Sequence, residues 1–147
     1  MDTVIKIMIN SLVGQQLRYS IKSPDMDLFD LGFGQEITFV NANNVQQEAC
    51  QHTIHLVCGL FIFWKNGRKE EFHGNSLASV FNNNTQPLIG ETVRRVALSD
   101  KNDLWLDLGQ CHIVIVTLDD GEESWRLLSP NTNKRHIVAT NKKIELQ

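Results

Sequence analysis

An internal repeat is the feature that most constrains how this chain can fold. Residues 12–28 overlay residues 88–104 without a gap, and six positions carry the same residue in both copies. One inserted residue then brings Asp30-Leu31-Gly32 onto Asp107-Leu108-Gly109. Both copies follow one order: an apolar pair, a glycine, a strand, a polar turn and a second strand. Because a solenoid needs at least three copies, the repeat predicts two similar halves, residues 12–73 and 88–140, packed into one unit.

Hydrophobic periodicity assigns the elements of the first half. Apolar residues recur at helical spacing over residues 3–13, and Gly14 follows as a terminator, which predicts an N-terminal amphipathic helix. From Gln16 the period changes to two, which predicts a half-buried strand. The remaining predictions for this half are strands at 27–31 and 36–40, a turn at Gly32-Phe33-Gly34, a polar surface loop at 41–51, and an apolar segment at 53–64 that Gly59 divides.

The middle of the chain and the second half complete the plan. Asn66-Gly67 predicts a type I′ hairpin turn into a strand at 68–72, and Ser76 is the predicted cap of a short helix that runs to Phe81. The later strands are predicted at 92–98, 104–108, 111–118, 124–128 and 136–139, with turns at 100–102, 109–110, 119–121 and 130–133. The fold class predicted is α+β, mainly antiparallel β, with two pseudo-symmetric strand meanders, an N-terminal helix and a short mid-chain helix.

Bulk properties narrow the class of protein. A chain of 147 residues is expected to form a single domain. The formal net charge of −3 gives no general affinity for nucleic acid, so no nucleic-acid partner is predicted. No apolar run approaches the roughly 20 residues that a membrane span needs, and no signal peptide is recognised. Three cysteines without framework spacing suit a reducing cytoplasm, which is the localisation that we expect.

The nearest approach to a metal motif is Cys50-x-His52-x-x-His55-x-x-Cys58. Zinc favours these ligand types, but it needs them to converge tetrahedrally. In a strand, His52 and Cys58 would point to one face and His55 to the other, and no second cluster completes the site. We therefore predict no metal, with Cys58 in the core, Cys50 in a loop and both histidines in ordinary strand positions.

No other pattern predicts catalysis or a cofactor. Cys111 and His112 are adjacent on a strand, so they face opposite ways and do not form a nucleophile–base pair. Gly32-x-Gly34 lacks the third glycine and the helix of a dinucleotide site. No catalytic residue, cofactor or metal ligand is assigned from the sequence, and the pattern favours a protein that is not an enzyme, although it leaves activity open.

Partner binding is the chemistry for which the sequence offers candidates. An acidic segment could attract a basic protein, although a solvated hairpin tip explains the same residues. Most aromatic residues alternate with polar neighbours and are expected in the core. Trp64 ends an apolar run immediately before Lys65-Asn66-Gly67, where an amphipathic ring suits a water boundary. The candidate partner-binding residues are Trp64, Asp119, Asp120, Glu122 and Glu123.

Short motifs along most of the chain resemble a group of small bacterial proteins with a domain of unknown function. The matching stretches are Leu12-Val13-Gly14, Asp27-Leu28, Gly32-Phe33-Gly34, Ile54-His55-Leu56-Val57-Cys58, Gly74-Asn75-Ser76, Leu88-Ile89-Gly90, Asp103-Leu104-Trp105-Leu106 and Glu123-Ser124-Trp125-Arg126. The resemblance implies no catalytic residues. Some members of the group resemble immunity proteins, which neutralise a neighbouring toxin.

Three hypotheses follow from the sequence. The first is a non-enzymatic protein-binding module of immunity type, with a toxin-like partner. The alternative is a small-molecule-binding protein or weak hydrolase with a site between the two halves. A deep pocket in which two or more of five histidine and cysteine residues converge would favour this second hypothesis. The third is self-association through a sheet edge. The set for the second hypothesis is His55, His73, His112, Cys58 and Cys111.

Overall fold

Two antiparallel sheets and two helices make up the computed structural model, which describes residues 2–40, 42–129 and 136–147. The α+β class with mainly antiparallel strands, an N-terminal helix and a short mid-chain helix is therefore confirmed. No helix in these ranges is long and apolar enough to cross a bilayer.

The helices are short and the strands carry most of the structure. The helices are α1 (Thr3–Asn10), α2 (Ala78–Asn84) and a 3₁₀ helix (Gln86–Leu88). The strands of the first half are β1 (Leu17–Lys22), β2 (Phe29–Val40), β3 (Gln46–Leu56), β4 (Gly59–Trp64) and β5 (Lys69–Phe72). Those of the second half are β6 (Arg95–Leu98), β7 (Leu104–Asp107), β8 (Cys111–Val116), β9 (Trp125–Leu128), β10 (His136–Ala139) and β11 (Ile144–Leu146).

The two halves exchange strands between the sheets. The six-stranded sheet has the order β1-β2-β3-β9-β10-β11, and the five-stranded sheet has the order β5-β4-β8-β7-β6. Each sheet thus joins the three-strand meander of one half to the last strands of the other. Strands β1 to β5 correspond in order to β6 to β10, which is the strand arrangement of a pseudo-twofold axis.

Hydrogen bonds that join each repeat glycine to the segment following the other glycine obey the same symmetry. The N–H of Gly14 donates to the carbonyl of Val93 and the N–H of Gly90 donates to the carbonyl of Leu17, both at 2.8 Å. Each pair of equivalent residues is separated by 76 positions. Both glycines have positive φ, +88° and +92°, a region that side chains disfavour, so glycine is favoured at each place.

The Gly32-Phe33-Gly34 turn predicted from sequence is wrong, because these residues continue the single long strand β2. A Cβ on Gly32 would lie 2.1 Å from the ring of Tyr19, so the glycine makes room for that ring. Gly34, with φ +84°, lies where the β2–β3 register shifts, at a bulge. The strand pairings of the second half then align Gly109 with Gly34 rather than with Gly32.

Several other boundaries differ from the sequence expectation. The predicted loop at 41–51 is largely strand, because β3 begins at Gln46 and pairs with β2. Helix α1 ends at Asn10, earlier than predicted. Ser76 does not cap α2: its hydroxyl accepts from the N–H of His73, while Leu77 occupies the N-cap. The predicted turn at 130–133 lies outside the described residues.

Two predicted turns are in the right place but have a different form. At Asn66-Gly67 only Gly67 has positive φ, and its N–H donates to the carbonyl of Trp64 at 3.0 Å. This is a three-residue hairpin loop rather than the predicted type I′ turn. Residues 119–123 are not a hairpin tip, because they carry the chain from β8 in the five-stranded sheet to β9 in the six-stranded sheet.

The inner faces of both sheets form one hydrophobic core, which α1 and α2 close at its sides. Trp125 of β9 is fully buried, and its indole N–H donates to the carbonyl of Asn102 at 2.9 Å. Phe81 of α2 packs edge-on against Phe29 of one sheet and Phe72 of the other. The inner faces of both sheets are therefore filled by side chains of the core.

Candidate functional site

The outer face of the five-stranded sheet carries a row of apolar residues across four strands, in which Phe63 and Trp105 are exposed and Val114 is buried. Phe61 of β4 lies opposite Val114 of β8, and Val114 lies opposite Trp105 of β7. Trp105 in turn lies opposite Ala97 of β6. Phe63 follows Phe61 on the same side of β4, because strand side chains alternate. We name Phe61, Phe63, Trp105 and Val114 the aromatic face.

Two rings of the aromatic face are open to solvent. Phe63 is 37% exposed and Trp105 is 42% exposed. Their ring planes are parallel to within 2°, with centroids 6.5 Å apart, so they present a broad apolar surface together. The Lys69 ammonium lies 4.5 Å from the centroid of Phe61 and 5.5 Å from that of Phe63, which places a cation on one side of this surface.

A polar rim borders the aromatic face at the start of β8. Arg95 Nη2 lies 3.2 Å from Asp107 Oδ2, and His112 pairs with Asp107 in the neighbouring strand. The Gly109 N–H donates to Asp107 Oδ1 at 2.8 Å and, helped by Arg95, holds the pKa of Asp107 below its usual range. This carboxylate is therefore a fixed negative charge beside the apolar surface.

The acidic segment predicted from sequence lies beyond the opposite end of β8. Asp119, Asp120 and Glu122 are exposed, whereas Glu123 is engaged by Arg126, whose Nη2 lies 2.7 Å from Glu123 Oε1. The carboxylates therefore divide into three that face water and one that is bonded within the fold. Residues 119–123 follow the end of β8 and lead into β9, so the acidic segment lies where the chain passes from the five-stranded to the six-stranded sheet.

Trp64 occupies a different place from the exposed aromatics. It is half-buried opposite the buried Cys111, and its indole N–H donates to Glu70 Oε1 at 2.7 Å. The Arg68 guanidinium covers its ring at 4.9 Å. Sequence reasoning placed Phe63 and Trp105 in the core instead. The alternation of side chains in β4 is the sequence feature that points to Phe63. Leu60 and Ile62 alternate with Phe61 and Phe63, and only one of these two sets can face the core.

A second polar group lies on the outer face of the six-stranded sheet. His55 Nε2 is 3.3 Å from Asp30 Oδ1, an ion-pair contact rather than a well-directed hydrogen bond. On the next strands, Arg126 Nη1 lies 3.1 Å from His136 Nδ1. Burial raises the pKa of Asp30, which the charge of His55 partly opposes, while burial and the charge of Arg126 lower the pKa of His136. These groups interact mainly with one another, together with Glu123.

The metal motif considered from the sequence does not converge. Cys50 is buried in β3 rather than in a loop, His52 is buried with its Nδ1 3.1 Å from Ser129 Oγ, and His55 faces the opposite side of the strand. Among the described residues, no group of three or more candidate ligands surrounds a common point. Burial raises the pKa of Cys58 and of Cys111 to about 12, so both thiols stay protonated near neutral pH.

The residues required by the hydrolase hypothesis are also dispersed. His55 and His112 lie on the outer faces of different sheets, and His73 follows β5 on the surface. Cys58 and Cys111 are buried at opposite ends of the β4–β8 pair. The structure thus brings none of these five residues together as a nucleophile and its base.

His52 makes the stability of the fold sensitive to acid. Burial lowers the pKa of His52 below its usual value of 6.5, so the unfolded chain binds a proton first as the pH falls. Stability is then constant above about pH 6.5 and falls below it, by at most about 1.4 kcal/mol per pH unit for this group. We expect His52→Gln to remove that part of the slope. The measurement is the unfolding free energy from pH 7.5 to 5.0, and parallel curves for the two proteins would contradict the prediction.

Comparison with known protein families, curated proteins and solved structures gives no match for this chain.

Proposed function

We propose that this protein is a non-enzymatic protein-binding module and that the aromatic face is its binding surface. The observation that carries the proposal is the pair of parallel, solvent-exposed rings of Phe63 and Trp105 on a rigid sheet. Contiguous exposed apolar surface costs free energy in water, and in monomeric proteins it commonly marks an interaction site. Aromatic residues on a stable scaffold are typical anchors of protein interfaces.

The exposed acidic segment favours a basic partner. Asp119, Asp120 and Glu122 are exposed at the end of β8, and they would accelerate the approach of a basic protein. Glu123 contributes less to this attraction, since Arg126 neutralises it. A toxin neutralised by an immunity-type protein fits this description, and three buried free thiols suit action in the cytoplasm.

The experiment begins with the purified products of the genes that flank this one, each titrated against the protein by calorimetry. For a product that binds, Trp105→Ala and Phe63→Ala are each expected to weaken affinity about 30-fold or more, as hot-spot residues do. The matched control is Ile21→Ala, which truncates a residue of similar exposure, 49%, on the outer face of the other sheet. Equal effects at the two faces, or no binding by any product, would count against the proposal.

The acidic segment gives a separate kinetic prediction. Neutralising Asp119, Asp120 and Glu122 together is expected to slow association with a verified partner by about tenfold at low salt. The rates should converge near 1 M salt, where the Debye length is roughly 3 Å. Glu123→Gln alone serves as the comparison, since that carboxylate is already paired. If the association rates are unchanged at every salt concentration, these residues do not attract the partner and form only a solvated connection between β8 and β9.

A further inference from the structure

The outermost strand of the five-stranded sheet, β6, has an open edge. Ser99, just after β6, donates its N–H to the carbonyl of Asp103 at 3.0 Å. Counting back from this bond in steps of two shows that the backbone groups of Ala97 and Arg95 face β7. Because antiparallel pairing alternates, the backbone N–H and C=O of Val96 and Leu98 turn away from β7. Within residues 2–40, 42–129 and 136–147, no strand pairs with β6 on that side.

The equivalent edge of the other sheet is covered. Strand β1 corresponds to β6 in the repeat, and α2 packs beside it. The N–H of Lys22, which would otherwise face outward, donates to Asn82 Oδ1 of α2 at 2.8 Å. Helix α1 also contacts β6, but no described side chain bonds to the outward backbone groups of this strand. Apart from Arg95 at its start β6 is apolar, it contains no lysine or proline, and its pairing with β7 has no register shift.

We propose that β6 pairs antiparallel with β6 of a second copy of this chain. A twofold axis perpendicular to the sheet would place Ala97 opposite the partner's Ala97, and Val96 opposite the partner's Leu98. The Ala97 pair would be of the non-hydrogen-bonded type, in which the side chains approach most closely, and alanine is small enough for that position. Val96 and the partner's Leu98 would then exchange the outward backbone hydrogen bonds.

The charge pattern of the strand complements itself in this arrangement. β6 begins with the 79% exposed side chain of Arg95, next to Arg94, and it is followed by the exposed Asp100. Antiparallel pairing centred on Ala97 sets this basic start beside the partner's Asp100, twice in the dimer. A parallel arrangement would instead set like charges beside each other, which is unfavourable.

Space for the second copy exists on both sides of the strand. A depression on the inner side is lined by Val96, Ala97 and Leu98 of β6 together with Lys6 and Asn10 of α1. Another on the outer side is lined by Arg95, Ala97 and Trp105. An added strand would send alternate side chains into the two depressions. Because the twofold preserves the faces of the sheet, both aromatic faces would lie on one side of the continuous sheet.

The mass of the native protein in solution gives the first test. Light scattering at about 100 µM should give twice the chain mass of 16.8 kDa. Val96→Pro removes an outward N–H that β7 does not use, so the dimer dissociation constant should rise at least tenfold. Phe63→Ala should leave the dimer intact, because Phe63 lies on β4, away from the edge of β6, and this separates the proposal from the proposed function of the aromatic face. A monomeric wild type, or a dimer that depends on Phe63 and not on Val96, would overturn the proposal.

Cross-linking gives a second test that does not depend on the folding of the proline variant. In Ala97→Cys the two new thiols would face each other across the axis, at a Cα separation of roughly 4.5 Å that permits a disulfide. Mild oxidation should yield covalent dimer at least tenfold faster than in Val80→Cys, which places a thiol on exposed α2. The three native cysteines are buried and serve as an internal background. Equal rates for the two variants would also overturn the proposal.

Discussion

Trp125→Ala is expected to destabilise the protein by roughly 3–5 kcal/mol, the range typical of large aromatic residues removed from a core. Trp125 is 0% exposed in the six-stranded sheet, where it packs against the inner face of the other sheet. Its indole N–H also donates to the carbonyl of Asn102, in the turn that precedes β7 of the five-stranded sheet. The substitution therefore opens a cavity between the sheets and leaves that carbonyl without its partner.

Chemical denaturation of the two tryptophan variants provides the comparison. Trp105→Ala removes the same side chain from an outer face where it is 42% exposed, so we expect a loss below about 1 kcal/mol. The midpoints should separate clearly, with little change in slope. Similar losses for the two variants would mean that Trp105 is covered in solution or that Trp125 does not join the sheets.

These two tryptophans show what the sequence could not decide. Trp105 and Trp125 both lie in short strands with alternating neighbours, so period two predicts the strands but not which face is covered. The face is set by how the two sheets pack: Trp125 lies opposite Leu56 on an inner face, whereas Trp105 lies between Val114 and Ala97 on the solvent side. Strand content and class were therefore predictable, and which of the two tryptophans is exposed was not.

The connection at residues 119–123 illustrates a second limit. Asp120-Gly121 has the composition of a hairpin turn, and local chemistry alone favours β8 and β9 as neighbours. In the structure β9 pairs with β3, while β8 pairs with β4 and β7, so the segment crosses between the sheets. In the repeat, the link between β3 and β4 is equivalent to residues 119–123, and it also crosses between the sheets. The sequence shows that the two links are equivalent, but it does not show which strands pair.

The polar group on the six-stranded sheet had no sequence signal. Asp30 and His55 come from paired strands of the first half, Arg126 and His136 come from paired strands of the second half, and the two pairs become neighbours only because β3 pairs with β9. By contrast, the exposed acidic residues could be predicted, because charge at a turn needs no long-range partner to remain in water. Glu123 is the exception, and its bond to Arg126 depends on the start of β9.

Phe81→Ala is the second substitution for which we expect a loss of roughly 3–5 kcal/mol. Phe81 is fully buried, and its ring lies 4.9 Å from that of Phe29 and 5.0 Å from that of Phe72, edge-on to both. It thus attaches α2 to the two sheets at once. The helix has only seven residues, no side-chain N-cap bond and a run of asparagines, so packing rather than helix propensity must hold it.

The loss of this attachment should also be visible at the edge of β1. When α2 detaches, Asn82 can no longer accept from the N–H of Lys22, and the amide of Lys22 should exchange with solvent faster than in the wild type. Val80→Ala is the control, since Val80 is 43% exposed on the same helix. Its truncation should change the stability by no more than about 0.5 kcal/mol and should leave the exchange of the Lys22 amide unchanged. If Phe81→Ala loses stability while the Lys22 amide remains protected, α2 covers the edge without depending on Phe81. If neither the stability nor the exchange of the Lys22 amide changes, contacts other than those of the aromatic rings hold α2 in place. Phe81 would then not explain why the edge of β1 is covered while that of β6 is open.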